Sequence, residues 1–93
     1  MKYGKPDANQ AAIVRALRDV GCSVLILSGV GGGVPDLLVG KGGINWLMEV
    51  KIAKGDLNPD QVKFQATWRG SYLVVRSVGE ALAAVGIRSL VAG

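Results

Sequence analysis

The sequence predicts one α/β domain in which helices pack on a mixed sheet. Apolar residues recur at helical spacing in three segments and at strand density in four, in the order helix, three strands, helix, strand, helix. Glycine, at 14 of 93 residues, falls between those segments rather than collecting in a linker. Residues 1–93 are the length of a single domain, and surface scaling has such a chain bury roughly 64% of its surface, enough for one compact core.

Residues 7–20 place Ile13, Leu17 and Val20 at helical spacing, and Gly21 is positioned to end that helix. Asp7, with Gln10 three residues on, forms a capping-box arrangement at its start. Residues 22–27 read as a short strand, and Ser28-Gly29-Val30-Gly31-Gly32-Gly33 reads as a loop. Residues 34–40 and 44–52 are two further strands around Lys41-Gly42-Gly43, and Gly-Gly suits a two-residue hairpin turn because both positions tolerate positive φ. With that turn Lys41 pairs with Ile44, Leu38 faces Leu47, Asp36 stands opposite Glu49 and Val34 faces Lys51. Asp36, Glu49 and Lys51 then share one face, and Trp46, Met48 and Val50 lie on the other. After Leu57, Asn58-Pro59-Asp60-Gln61 supplies an N-cap, a proline at the first helical position and a glutamine three residues past the cap, opening a helix to about Arg69. Residues 71–76 form another strand, and Ser77-Val78-Gly79-Glu80 is a capping box for a short helix closing at Gly86. Residues 87–91 are a candidate last strand.

Composition narrows the chemistry. The chain has no histidine and one cysteine, Cys22, which excludes a Ser-His-Asp triad, a Cys-His pair and a zinc site of its own. A lone cysteine also excludes an internal disulfide, and residues 1–6 lead into no apolar signal segment, so the expected compartment is a reducing cytosol. No apolar run approaches the roughly 20 residues that span a membrane. The net charge of +4 favours a polyanionic partner without requiring one.

Glu49, one of only two glutamates, sits inside Trp46-Leu47-Met48-Glu49-Val50-Lys51-Ile52. Asp36 sits in a similarly apolar stretch. Burying an unpaired ion costs several kcal/mol, and two carboxylates facing each other at ~5 Å repel. Lys51 offsets one charge only. A hard divalent cation, Mg²⁺ or Mn²⁺, resolves the repulsion, with the Val50 backbone carbonyl placed as a third ligand. Such an ion activates a water without histidine, and Lys51 is placed to orient it or to stabilise charge on phosphorus. The plainer alternative is a surface salt bridge of Lys51 with either carboxylate.

Pro35-Asp36, then twelve residues, then Glu49-Val50-Lys51 resembles the PD-(D/E)XK nuclease signature, and the surrounding chain resembles its VRR-NUC branch. The resemblance extends through Gly33-Val34-Pro35-Asp36-Leu37-Leu38-Val39-Gly40, Trp46 to Lys51, Leu57, Gln61 and Trp68, and covers nearly the whole chain, from Asp7 to about Leu82. It implies a compact restriction-endonuclease-like α-β-β-β-α-β core with a mixed central sheet flanked by helices. It further implies a metal-dependent endodeoxyribonuclease in which Asp36, Glu49 and the Val50 carbonyl bind Mg²⁺ or Mn²⁺ and Lys51 is the catalytic lysine. Stand-alone phage-type members are small homodimers similar to Holliday junction resolvases. This implies branched DNA such as a four-way junction as substrate, and phage or bacterial host cytosol as location. Many relatives carry an acidic residue on the first helix near the metal, where this chain has Gln10. The alternatives are a non-cleaving DNA-binding module on the same fold, and a nuclease acting on flaps, nicks or plain duplex.

Gln10 and Gln61 each read equally as a helix cap or as support for the site, and Gln65 shares a helix face with Gln61. Phe64 and Trp68, four apart, read as core rather than as a base-stacking platform. Lys54, Lys63, Arg69 and Arg76 are weak candidates for phosphate contacts, since scattered basic residues are usually solvated. The Gly31-Gly32-Gly33 loop lacks the Gly-Lys-Ser/Thr of a phosphate-binding loop, and either allows a close backbone approach by nucleic acid or simply turns the chain.

Overall fold

The computed structural model describes residues 8–87. The elements run in the expected order: α1 (Ala8–Asp19), β1 (Ser23–Ile26), β2 (Leu37–Lys41), β3 (Ile44–Val50), α2 (Pro59–Thr67), β4 (Tyr72–Val75) and α3 (Val78–Ala84). The sheet order is β1-β2-β3-β4, with β1–β2 and β2–β3 antiparallel and β3–β4 parallel. Helix α2 is therefore the crossover that a parallel pair requires. Among the described residues no helix is long and apolar enough to cross a membrane. Asp7 and residues 88–91 of the candidate strand 87–91 lie outside the described residues, and Ile87 closes α3 rather than opening a strand.

Strand alternation divides the molecule into two faces. Val24, Val39, Met48, Val50 and Val75 point to one side and pack with Ile13, Val14 and Leu17 of α1 and Ala81 of α3. Glu49, between Met48 and Val50, and Tyr72, paired with Leu47, point to the other side, where α2 lies: Gln61 of α2 bonds Glu49, and Phe64 of α2 packs on Tyr72. Helix α2 has no buried residue, so the main core lies between the sheet and the α1–α3 layer.

Both core-facing helices end as their glycines dictate. After α1, the Gly21 amide donates to Arg18 O and Cys22 N to Leu17 O; after α3, Gly86 N donates to Ala83 O and Ile87 N to Leu82 O. These are Schellman closures, with φ of 92° at Gly21 and 91° at Gly86. The Asn58–Gln61 capping box on α2 is complete in both directions, at 2.9 Å each. On α3 the Ser77 hydroxyl accepts from Glu80 N at 3.0 Å, but the Glu80 carboxylate reaches one residue further back, to Arg76 N at 2.8 Å.

The hairpin has the expected register, from Lys41↔Ile44 to Leu37↔Met48, with φ of 60° and 83° at Gly42 and Gly43. The ladder ends at Leu37, one residue short of the expected Asp36–Glu49 pair, and the Asp36 side chain bonds Val50 N instead. Strand β2 starts at Leu37 rather than at residue 34, so the expected Val34–Lys51 pair does not form. Pro35 has no N–H to give a ladder, and Val34 N instead closes a turn onto Gly31 O at 3.2 Å. The close approach in the glycine loop is internal: a Cβ on Gly33, whose φ is 83°, would collide with the Asp60 carbonyl at the start of α2.

Candidate functional site

The two carboxylates meet at the parallel–antiparallel boundary of the sheet. Asp36 is held twice: its carbonyl accepts from Leu27 N at 2.7 Å, and its Oδ2 accepts from Val50 N at 2.9 Å. Its side chain thus occupies the place where β2 would otherwise continue pairing with β3. In an extended strand the N–H and C=O of one residue point to the same side, so the Val50 carbonyl faces the Asp36 side as well.

Glu49 is 2% exposed, the one buried charged side chain among the described residues. Its Oε2 accepts from Gln61 Nε2 at 3.1 Å and lies 3.8 Å from Lys51 Nζ. Its Oε1 is buried with no partner among the described residues. Burial above all, then the Asp36 charge and a hydrogen bond shared with Asp36, push the Glu49 carboxyl up to about 8, against the pull of Lys51.

This donor set fits a hard divalent ion. The carboxylates of Asp36 and Glu49 with the Val50 carbonyl are all oxygen, and the orphaned Glu49 Oε1 is a buried acceptor in need of a partner. Among the described residues no third carboxylate, thiol or imidazole joins them, so such an ion would complete its shell with water.

Gln61 performs both roles that its position allowed. Oε1 accepts the Asn58 amide of the capping box, while Nε2 donates to Glu49, so one side chain fastens α2 to the site. Gln65, on the same helix, is exposed and is not brought to either carboxylate. Gln10 meets Ser28 through side-chain contacts of 3.0 and 3.2 Å rather than Asp36 or Glu49. Ser28 follows Leu27, whose amide bonds Asp36, so Gln10 stands at the same end of the sheet without touching the pair. Lys54, Lys63 and Arg69 are exposed. Arg76 is committed elsewhere: it donates to Ile52 O at 2.8 Å and Gly55 O at 2.7 Å, bracing the loop after Lys51. Trp68 is corrected from core to surface, at 45% exposure, because α2 rests on the sheet only lightly; Phe64 is half-buried and stacks on Trp68 at 5.4 Å.

Two residues had no signal in the sequence. Asn9, in the first turn of α1, donates to Lys51 O at 3.1 Å and to Arg76 O at 3.3 Å, tying together the ends of β3 and β4 where they part. Tyr72 stands on the Glu49 face with its hydroxyl buried. An asparagine in an amphipathic helix and a tyrosine in a four-residue strand are both common, and only the assembled sheet distinguishes these.

The fold is a compact mixed-sheet α/β fold matching that of a VRR_NUC domain. A solved structure described as a VRR_NUC domain superposes with a TM-score of 0.67 and 26% sequence identity, over 84% of this chain and 90% of that one. No protein-family model matches the sequence, and no curated protein matches it.

Proposed function

We propose that this chain is a metal-dependent nuclease that hydrolyses phosphodiester bonds in DNA using Mg²⁺ or Mn²⁺. The observation that carries the reading is a carboxylate pair, half-buried Asp36 and buried Glu49, brought together beside Lys51 at the end of the β2–β3 hairpin, in a fold shared with a VRR_NUC domain. Asp36 Oδ1, Glu49 Oε1 and the Val50 carbonyl are the ligands offered; the remaining oxygens, Asp36 Oδ2 and Glu49 Oε2, already accept from Val50 N and Gln61 Nε2. When bound, the ion lowers the pKa of a water at neutral pH and neutralises charge at the phosphate.

The protein's own groups supply the rest. Val50 N and Leu27 N hold Asp36 rigid, and Gln61 holds Glu49, so the ligands do not have to reorganise. Lys51, half-buried and 3.8 Å from Glu49, is a cation beside the place where charge builds on the phosphate oxygens. Asn9 fixes the backbone of Lys51, and with it the direction of that side chain.

The finer reading is a structure-selective endonuclease, a homodimer acting on branched DNA such as four-way junctions, working in the cytosol. Its support is the resemblance of the motif and the net charge of +4, modest for clamping a duplex alone. The test is incubation with end-labelled four-way junction, flap, nicked and linear DNAs in Mg²⁺, Mn²⁺ or EDTA. Cleavage in either metal and none in EDTA is expected; no cleavage of any DNA in either metal contradicts the reading.

A further inference from the structure

The Tyr72 hydroxyl is buried and has no hydrogen-bond partner among the described residues. A buried phenol ordinarily finds one, because leaving it unpaired forfeits its hydration without return. Its placement is specific. Tyr72 pairs with Leu47 across the β3–β4 ladder, two residues before the Val74–Glu49 pair, so its side chain rises from the same face as Glu49. Phe64 covers the ring from α2, with centroids 6.1 Å apart and planes inclined by 37°. Burial first, then the charges of Glu49 and Asp36, raise the hydroxyl's pKa. Glu49 Oε1, on the adjoining strand, is likewise buried and unpartnered. One orphaned donor and one orphaned acceptor thus share a face on neighbouring strands.

We propose that Tyr72 is a positioning residue of this site, its hydroxyl donating a hydrogen bond to an oxygen held beside Glu49, either a water of the cation's shell or a phosphate oxygen of the substrate. The assignment rests on the nuclease reading and adds a donor to it. A phenol O–H donates without adding a positive charge next to a divalent ion.

Tyr72→Phe removes that one oxygen and keeps the ring against Phe64. Mn²⁺ affinity by calorimetry, DNA affinity in Ca²⁺ without turnover, and melting temperature in EDTA are measured for wild type and variant. About tenfold weaker Mn²⁺ binding is expected if the oxygen is water, the usual cost of losing a group that orients a metal shell. Weakening confined to the DNA arm assigns the hydroxyl to the phosphate. In either case melting in EDTA stays the same or rises, since an unpaired buried group has gone. Unchanged affinities in both arms overturn the assignment and leave the nuclease reading standing. A wild-type protein that binds no Mn²⁺, like Glu49→Gln, overturns that reading and this assignment with it.

Discussion

Glu49 carries the energetic tension of the molecule. Its folded-state pKa of about 8 lies above the ordinary value of 4.5, so between those two pH values the native state keeps a proton that the unfolded chain has released. Stability of the metal-free protein accordingly falls as pH rises through that window, and is fullest, as far as this group is concerned, below it. Glu49→Gln removes the ionisation while keeping an acceptor for Gln61. Thermal melts in EDTA should show wild type losing stability from pH 5 to pH 8 while the variant changes much less and melts higher at pH 8; parallel curves would contradict this origin of the strain. Asp36, Glu49 and Lys51 were legible in the sequence because charges inside apolar strands demand a reason. Tyr72 and Asn9 were not, because a hydroxyl or an amide in a strand or helix is unremarkable until its neighbours are known.

At the level of elements, the hairpin register was legible from two glycines, since a two-residue turn with positive φ at both positions leaves one pairing available. The beginning of β2 was less so: apolar character continues back to Val34, but Pro35 and the turn onto Gly31 stop the ladder. Helix α2 was readable in its cap and unreadable in its packing, because Phe64 and Trp68 look like a buried pair when only spacing is considered. What seats α2 is Gln61 on Glu49, Phe64 on Tyr72, and the close passage of Gly33 beneath Asp60. Gly33→Ala should therefore act beyond its own residue. It sets a Cβ against the Asp60 backbone at a φ of 83°, a conformation that itself costs about 1–2 kcal/mol for an L-residue. We expect a lowered melting temperature and, through displacement of Gln61, weaker Mn²⁺ binding; a Gly33→Ala protein with wild-type stability and metal affinity would show that the N-terminus of α2 does not position the site.

For the whole molecule, alternation and glycine punctuation were enough to give a mixed four-stranded sheet with helices on both faces. Assembly is a different matter, since a dimer contact leaves no periodic trace in one short chain. A homodimer offering two sites to one branched DNA would bind with steep salt dependence and prefer junctions to linear duplex. Heterodimers of wild-type and Glu49→Gln subunits should then nick a four-way junction once without resolving it. Sedimentation of a monomer at working concentration, with equal cutting of linear and branched DNA, would contradict the junction assignment.

The most direct measurement is the cleavage of one labelled branched DNA by wild type, Asp36→Asn and Glu49→Gln, each in Mg²⁺, Mn²⁺ and EDTA, with folding checked by circular dichroism. Both substitutions keep the shape of the side chain and one acceptor oxygen, and replace the other oxygen and the ionisable proton with an amide NH2. Wild type should cut in metal and not in EDTA, and each variant, folded and at least as stable as wild type in EDTA, should fall by at least about 100-fold, on the scale of losing a principal electrostatic group. Metal-dependent cutting by either folded variant at the wild-type rate would contradict the assignment of the Asp36–Glu49 pair as the catalytic metal site.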